Sequence, residues 1–381
     1  MARWRAHLLL LAWCLLACCL PGGAAGAFET SARAAIIVDY RTGVVLLEKN
    51  PDQRFPPASM SKLMTTYMIF DRLDHGGLKL DDRIPISAKA WKMGGSQMFL
   101  KVGERVPVED LIRGIITQSA NDACVAMAEA LAGSEEEFAR QMTRKAKEIG
   151  LTGSSFANAT GLDAPGHLMT VRDLATLAQR IIADFPDHFR YYAEREFTYG
   201  GIRQPNRNPL LQDHVEGVDG MKTGFTEQSG YGLVATAKRG DRRLIMVLAG
   251  MASERERRQE GERVLEHGFR DFREYRLYEL GQTVVEADVW QGAAAKVALV
   301  PAAPVAVTLS REARDGLVVK LRYGSPVAAP VQAGQPLGFV DVTAPDQPPR
   351  SVPLVAGADV ARAGVLGRIT GAVGHLVGVS G

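Results

Sequence analysis

A serine and a lysine three positions apart stand at the start of an apolar run, Pro56-Pro57-Ala58-Ser59-Met60-Ser61-Lys62-Leu63-Met64-Thr65. On a helix, positions i and i+3 share a face, so the Lys62 amine reaches the Ser59 hydroxyl. A serine hydroxyl is a weak nucleophile until a base takes its proton. Lysine serves as that base only if burial and neighbouring positive charge keep it from protonating. Met60, Leu63 and Met64 supply apolar surroundings, and lysine is rarely buried without a reason. Alone, the pair carries little weight, because a chance serine and lysine on one helical turn is the ordinary explanation.

Two further segments change that weighting. Ser119-Ala120-Asn121 falls between two helical stretches, where an N-cap would by itself account for it. Lys222-Thr223-Gly224 follows Val218-Asp219-Gly220 and by itself reads as a turn or a polar edge strand. All three together supply what acyl transfer needs. Lys222 near Lys62 presses the pKa of the base down. Ser119 and Asn121 are short polar groups that relay a proton and hold an amide. Lys222 and Thr223 offer a cation and a hydroxyl to a substrate carboxylate, and Gly224 lets a strand backbone approach closely. An oxyanion needs two backbone donors, and the N–H of Ser59 with one just after Gly224 is the natural pair.

The elements that must position these residues follow from periodicity. Residues 32–50 read as a hairpin, with strands at 35–38 and 44–47 about the Arg41-Thr42-Gly43 turn. Helices are expected at 59–73, 108–116, 120–131, 135–148 and 171–183. Strand character returns at 230–237 and 243–249, before a closing helix at 254–267. Strands, helices, then strands predict one α/β unit whose sheet is assembled from both ends of the segment. Beyond Tyr275, short β-rich pieces at 283–289, 296–300, 305–309 and 317–321 predict a small all-β domain. The expected organisation is a leader at 1–27, a catalytic domain at 28–273, the all-β domain at 274–352 and a tail at 353–381.

Of the 381 residues, 46% are hydrophobic and 23% charged, an ordinary globular balance with room for more than one core. Arg3 and Arg5 precede an apolar run of 13 residues (8–20) and a small-residue end at Ala25-Gly26-Ala27, the pattern of a secretory signal peptide. That run is shorter than the roughly 20 residues that span a bilayer. Leu15-Leu16-Ala17-Cys18 loosely resembles a lipobox, so a lipoprotein stands beside the ordinary leader as an alternative. Cys14, Cys18 and Cys19 lie in the leader, which leaves Cys124 alone and excludes an intrachain disulfide in an exported chain. The formal net charge is +2, and without the leader's two arginines the chain is near neutral, with nothing that asks for nucleic acid. In the tail, Val365, Leu366, Ile369, Val373, Leu376 and Val377 share a helical face suited to a membrane surface. Gly367, Gly371, Gly374 and Gly378 oppose it, at about 1 kcal/mol of helix stability each.

With these residues in place, the chain resembles the D-alanyl-D-alanine carboxypeptidases, low-molecular-mass penicillin-binding proteins that carry SxxK, SxN and KTG motifs. The likeness runs through 57–65, 94–129, 156–175, 206–211 and 218–239, strongly from Ala34 to Arg273 and more faintly over the β domain and tail. It implies a β-lactamase/transpeptidase-like α/β domain, an antiparallel sheet with a helical cluster, followed by the small all-β domain. It implies that Ser59 forms an acyl-enzyme with the penultimate D-alanine of peptidoglycan stem pentapeptides and releases the terminal one. Lys62 would be the base for acylation, with Ser119, Asn121 and Lys222 completing the proton network. Lys222, Thr223 and Gly224 would line the carboxylate site, and the Phe225 N–H would join that of Ser59 in the oxyanion hole. The resemblance implies no metal and no cofactor, and β-lactams as covalent inhibitors. It also implies a periplasmic enzyme, exported by its leader and peripheral on the inner membrane through its tail.

Two positions depart from the family pattern. Phe225 stands where some members have histidine after KTG, and Met169 precedes Thr170 where serine is frequent. An arginine for the carboxylate falls within 253–260, with Arg255, Arg257 and Arg258 all open. Water and an amine compete for one acyl-enzyme, so endopeptidase or transpeptidase activity is the nearest rival. A β-lactamase would need fast deacylation, and no Glu-bearing loop is assignable to it. A non-catalytic peptidoglycan-binding protein is the reading from another class, and the presence of Ser59, Lys62 and Lys222 weighs against it.

Overall fold

The computed structural model describes residues 28–345 and 347–364, so the leader and the apolar tail face at 365–377 lie outside the described residues. Strands β1 (Ala34–Asp39) and β2 (Val45–Lys49) form the expected hairpin. Its turn is closed by Asp39, whose Oδ1 accepts the N–H groups of Arg41 and Thr42 at 3.2 Å. Two short antiparallel pairs accompany the helical cluster: β3 (Arg83–Pro85) with β4 (Arg105–Pro107), and the hairpin of β5 (Glu196–Tyr199) with β6 (Ile202–Pro205). Strands β7 (Val218–Thr226), β8 (Gly230–Arg239) and β9 (Arg242–Met251) complete an antiparallel sheet of order β2-β1-β9-β8-β7. The first strand therefore pairs with the last, which joins the two ends of the segment.

Both faces of this sheet are covered, which is why its central strands read as continuous apolar runs. Ile36, Val38, Val234, Ile245 and Val247 face the helical cluster and share its core. Ile37, Leu233 and Leu244 alternate with them and meet the helix Glu254–Arg270. That helix lies close because Gly261 and Gly268 face Leu233 and Leu244, where an added Cβ would come within 2.9 and 2.8 Å.

The helices Val108–Thr117, Asn121–Ala132, Glu135–Glu148 and Val171–Asp184 begin and end within one residue of the bounds expected from sequence. Side-chain caps explain the sharp starts of the last two and of the closing helix Glu254–Arg270. Ser134 accepts from Glu137 N at 3.1 Å, Thr170 from Asp173 N at 3.0 Å and Ser253 from Glu256 N at 3.1 Å.

Of the two readings open for Lys222-Thr223-Gly224, the polar edge strand holds: the segment lies in β7, at the edge of the sheet. Two expectations need correction. The helix expected from Ser59 opens as a 3-10 turn, Ala58–Ser61, and the α-helix proper is Lys62–Asp74. The two preceding prolines and a φ of 50° at Ala58 bring the chain in through a tight turn. The β domain does not end at 352, because a strand runs across that position and Val360 packs in the core.

That domain contains β10 (Phe272–Tyr278), β11 (Val285–Trp290), β12 (Lys296–Pro301), β13 (Val305–Ser310), β14 (Val318–Tyr323), β15 (Val327–Ala328), β16 (Pro336–Thr343) and β17 (Arg350–Ala356). Strands β10 and β13 pair with each other, and the rest form a sheet of order β14-β16-β17-β12-β11-β15. Its own core is built from Val297, Leu299, Val307, Leu309, Val340 and Leu354. Polar contacts tie it to the first domain, among them Thr42 Oγ1 to Thr308 Oγ1 at 2.9 Å and Arg242 Nη1 to Phe272 O at 2.9 Å.

Met60 wedges the Ala58–Ser61 turn against the sheet, buried to 1% exposure and within reach of a Cβ at either Gly224 or Gly232. Met60→Ala should therefore lower unfolding stability by about 2–5 kcal/mol, read from urea denaturation. A midpoint equal to the parent's would show that this contact does not hold the turn.

Candidate active site

Ser59 lies half-buried in the 3-10 turn, where i and i+3 side chains eclipse. It borders a cleft of about 640 Å³ that Ser119, Arg207, Thr223, Phe225 and Arg257 also line. A larger cleft of about 710 Å³, between β2 and the β domain, is lined by none of Ser59, Lys62, Ser119, Asn121 or Lys222.

The Lys62 side chain is 1% exposed, and its amine has three oxygen neighbours. Nζ lies 2.8 Å from Ser59 Oγ and 2.8 Å from Asn121 Oδ1, and it also donates to the Thr160 carbonyl. Asn121 is held in turn, its Nδ2 donating to Gly94 O at 2.8 Å, which fixes Oδ1 as the atom turned to the lysine. Burial pushes the Lys62 amine down to about 8 from its ordinary 10.5. Arg207 adds to that push, while Cys124 and Asp122 oppose it.

Lys222 is 2% exposed, and its Nζ donates to the Thr223 carbonyl at 3.1 Å. Burial first, then the charges of Lys62 and Arg207, hold it well below the ordinary lysine range. The two buried amines repel each other as expected, and Arg207 presses on both.

Ser119 is buried to 3% and has a φ of 59°, a left-handed conformation that costs a non-glycine residue about 1–3 kcal/mol. It sits where the Val108–Thr117 helix has ended, and the Ala120 N–H turns back to Gly114 O at 3.0 Å. Gly224 allows β7 to pass beside the nucleophile turn: a Cβ there would lie 3.0 Å from Pro57 O and 3.1 Å from Ala58 Cβ. Phe225 is 49% exposed, its ring 4.2 Å from that of Tyr231 between centroids.

Of the three arginines left open, Arg257 and Arg258 line the cleft and Arg255 does not. Arg258 is half exposed and paired with Asp213 at 2.9 Å. Arg257 is 5% exposed, pairs with Glu254 at 3.0 Å and lies 5.5 Å from the Tyr231 ring, with Nε lacking a partner among the described residues.

Sequence reasoning assigned Arg207 no role, although it lies in the 206–211 segment, as Asn206-Arg207-Asn208. Both asparagines are buried and spend their amides on backbone, Asn206 on Glu194 O at 2.9 Å and Asn208 on Gly220 O at 2.8 Å. The triplet thereby turns Arg207 into the cleft. The Thr160 carbonyl was missed as well, since a backbone acceptor carries no residue signature. Among the described residues, no group of three or more His, Cys, Asp or Glu side chains is placed to hold a metal.

Comparison with known proteins covers both domains. The D-alanyl-D-alanine carboxypeptidase family model matches residues 23–253, and that of the penicillin-binding protein 5 C-terminal domain matches 272–362. The chain is 40% identical over 348 residues to the D-alanyl-D-alanine carboxypeptidase DacC of Escherichia coli K12, covering 90% of this chain and 87% of that protein. Penicillin-binding protein 5 from Haemophilus influenzae superposes with a TM-score of 0.80 at 34% identity, over 88% of this chain and 99% of that one. Penicillin-binding protein D2 from Listeria monocytogenes, in its ampicillin-bound form, matches with a TM-score of 0.59 at 30% identity, over 64% of this chain and 99% of that one. A likeness that reaches through the nucleophile turn, the sheet and the second domain leaves one conclusion: the chain belongs to the D-alanyl-D-alanine carboxypeptidase family and is a serine-type D-Ala-D-Ala carboxypeptidase.

Proposed function

We propose that Ser59 is the nucleophile of this carboxypeptidase and Lys62 its base, acting on peptidoglycan stem pentapeptides. The observation that carries the reading is the Lys62 amine, buried and 2.8 Å from Ser59 Oγ. Ser59 attacks the carbonyl carbon of the penultimate D-alanine as Lys62 takes its proton. The carbonyl oxygen becomes an oxyanion held by the N–H groups of Ser59 and Phe225, where preorganised donors matter most. Collapse breaks the peptide C–N bond. The departing D-alanine nitrogen receives a proton through the Lys62, Asn121, Ser119 and Lys222 network. Water then hydrolyses the ester and frees Ser59.

Thr223, with Lys222 behind it and Gly224 beside it, takes the terminal carboxylate, and Arg207 and Arg257 supply positive charge at that end of the cleft. β-Lactams acylate Ser59 by the same attack, in keeping with the ampicillin-bound Listeria relative. No cofactor enters the reaction.

A periplasmic, membrane-associated location accompanies this family assignment. The finer reading is export by the 1–27 leader and peripheral attachment through the tail. No helix among the described residues is long and apolar enough to cross a membrane. The catalytic domain is taken as 28–273, with the β domain following it.

Ser59→Ala should release no D-alanine from a stem pentapeptide, and release at the parental rate would overturn the assignment of the nucleophile. The base must be neutral to act, and a group at about 8 becomes neutral as pH rises through that value. Thus kcat/KM should climb about tenfold per pH unit below pH 8 and level off above it. A profile flat from pH 6 to 9 would exclude Lys62 as the titrating base. Arg207→Ala should raise KM about 10- to 100-fold, as expected for loss of a charge-assisted contact. A C-terminal amide substrate should lose most of that difference, and an equal effect on both substrates would place Arg207 outside the carboxylate site.

A further inference from the structure

We propose that Asn158 and Glu135 are positioning residues of the base: they hold the Thr160 carbonyl where it takes one amine hydrogen of Lys62 and so aims the lone pair at Ser59. This rests on the reading of Lys62 as the acylation base.

A neutral amine has two hydrogens and one lone pair. Asn121 Oδ1 and Thr160 O can only accept, so with both in place each claims a hydrogen and the lone pair is left for the Ser59 hydroxyl. Without the Thr160 oxygen, a hydrogen is free to turn toward Ser59 Oγ, and the amine then competes as a donor with the proton it should receive. The helix that carries Lys62 supplies neither acceptor. The carbonyl comes from a loop 98 residues further along the chain, and it is only as well aimed as that loop is fixed.

One side chain closes the loop on itself. Asn158 Oδ1 accepts from Thr160 N at 3.1 Å, Thr160 Oγ1 at 3.1 Å and Gly161 N at 2.7 Å, and Asn158 Nδ2 donates to Leu162 O at 2.8 Å. Glu135 ties the loop to the helical cluster: its Oε1 accepts from Ala159 N at 3.2 Å, while Oε2 is 3.1 Å from Lys89 Nζ. Thr65 Oγ1 donates to Ala159 O at 2.7 Å from the helix of Lys62 itself. The loop also presses directly on the nucleophile turn. Gly161 has a φ of 82°, and a Cβ there would come within 2.0 Å of Ala58 O and 2.6 Å of Ser61 Oγ. Neither Asn158 nor Glu135 lines the cleft, so both act through the carbonyl and not on substrate.

The test is stopped-flow acylation by benzylpenicillin, resolved into a binding constant Ks and a chemical rate k2, for the parent and two pairs of variants. N158A removes the three-way acceptor, whereas N158D keeps it, trading the bond to Leu162 O for a carboxylate oxygen and adding one negative charge. E135A removes the acceptor for Ala159 N, whereas E135Q keeps it. In N158A, k2 should fall about 10- to 100-fold with Ks near the parental value, since misaiming of about 1 Å has that effect on a reacting pair. N158D should recover k2 to within about threefold of the parent, and the Glu135 pair should show the same pattern. Parental k2 in N158A, or equal losses in N158A and N158D, overturns the proposal. If N158A does not fold, the Glu135 pair decides on the same terms. K62A is run alongside: acylation surviving there removes Lys62 as the base, a failure distinct from that of the loop.

Discussion

A lysine amine cut off from water is the constraint around which the catalytic domain is arranged. Moving it from 10.5 to about 8 corresponds to roughly 3 kcal/mol of lost preference for the ammonium form. An ammonium buried without partners would cost more than a domain of marginal stability tolerates. Three oxygens around Nζ meet that difficulty, and each comes from a different part of the chain. Burial makes the amine a base near neutral pH, and the acceptors keep burial from being ruinous. Much of the fold can be understood as the scaffold that brings those oxygens to one point.

The sheet supplies the rigid side of that arrangement. Its central strands are buried on both faces, so β7 cannot shift without disturbing β8 and the helix packed behind it. Met60 fills the space between turn and sheet, and the adjacent glycines set how near the two come. Ser119, in a conformation its own residue type disfavours, is held by the two helices it separates. Local strain of this kind persists where the surroundings over-determine a residue, and it gathers at reactive sites.

The Ser59–Lys62 contact was legible because acyl transfer demands particular side chains at short spacing, and the two stand 2.8 Å apart. The helices were legible because their caps and apolar stripes are written locally. Strand β7 stayed open between a turn and a polar edge strand, since Asp219, Gly220, Lys222, Thr223 and Gly224 mask a period of two. Strands β16 and β17 escaped notice for a related reason: Pro336, Gly338 and Pro353 interrupt them, yet they pair along the sheet all the same. The Thr160 carbonyl had no sequence signal at all, because any residue supplies a backbone oxygen and only tertiary packing decides where it points. Arg207 did have one, in the two asparagines that bracket it.

Strand β7 stands last in its sheet, with β8 as its only neighbour among the described residues. An open edge of this kind ordinarily accepts any extended chain, and proteins usually blunt it with charge. Here Arg207, Arg257 and Arg258 stand in the cleft it borders. Arg257 and Arg258 are paired with Glu254 and Asp213, which leaves Arg207 as the arginine of the three with no acidic partner among the described residues. On the proposed reading, a peptide that stops there brings it an anion, and a feature that in other sheets invites indiscriminate aggregation becomes a gauge of chain length.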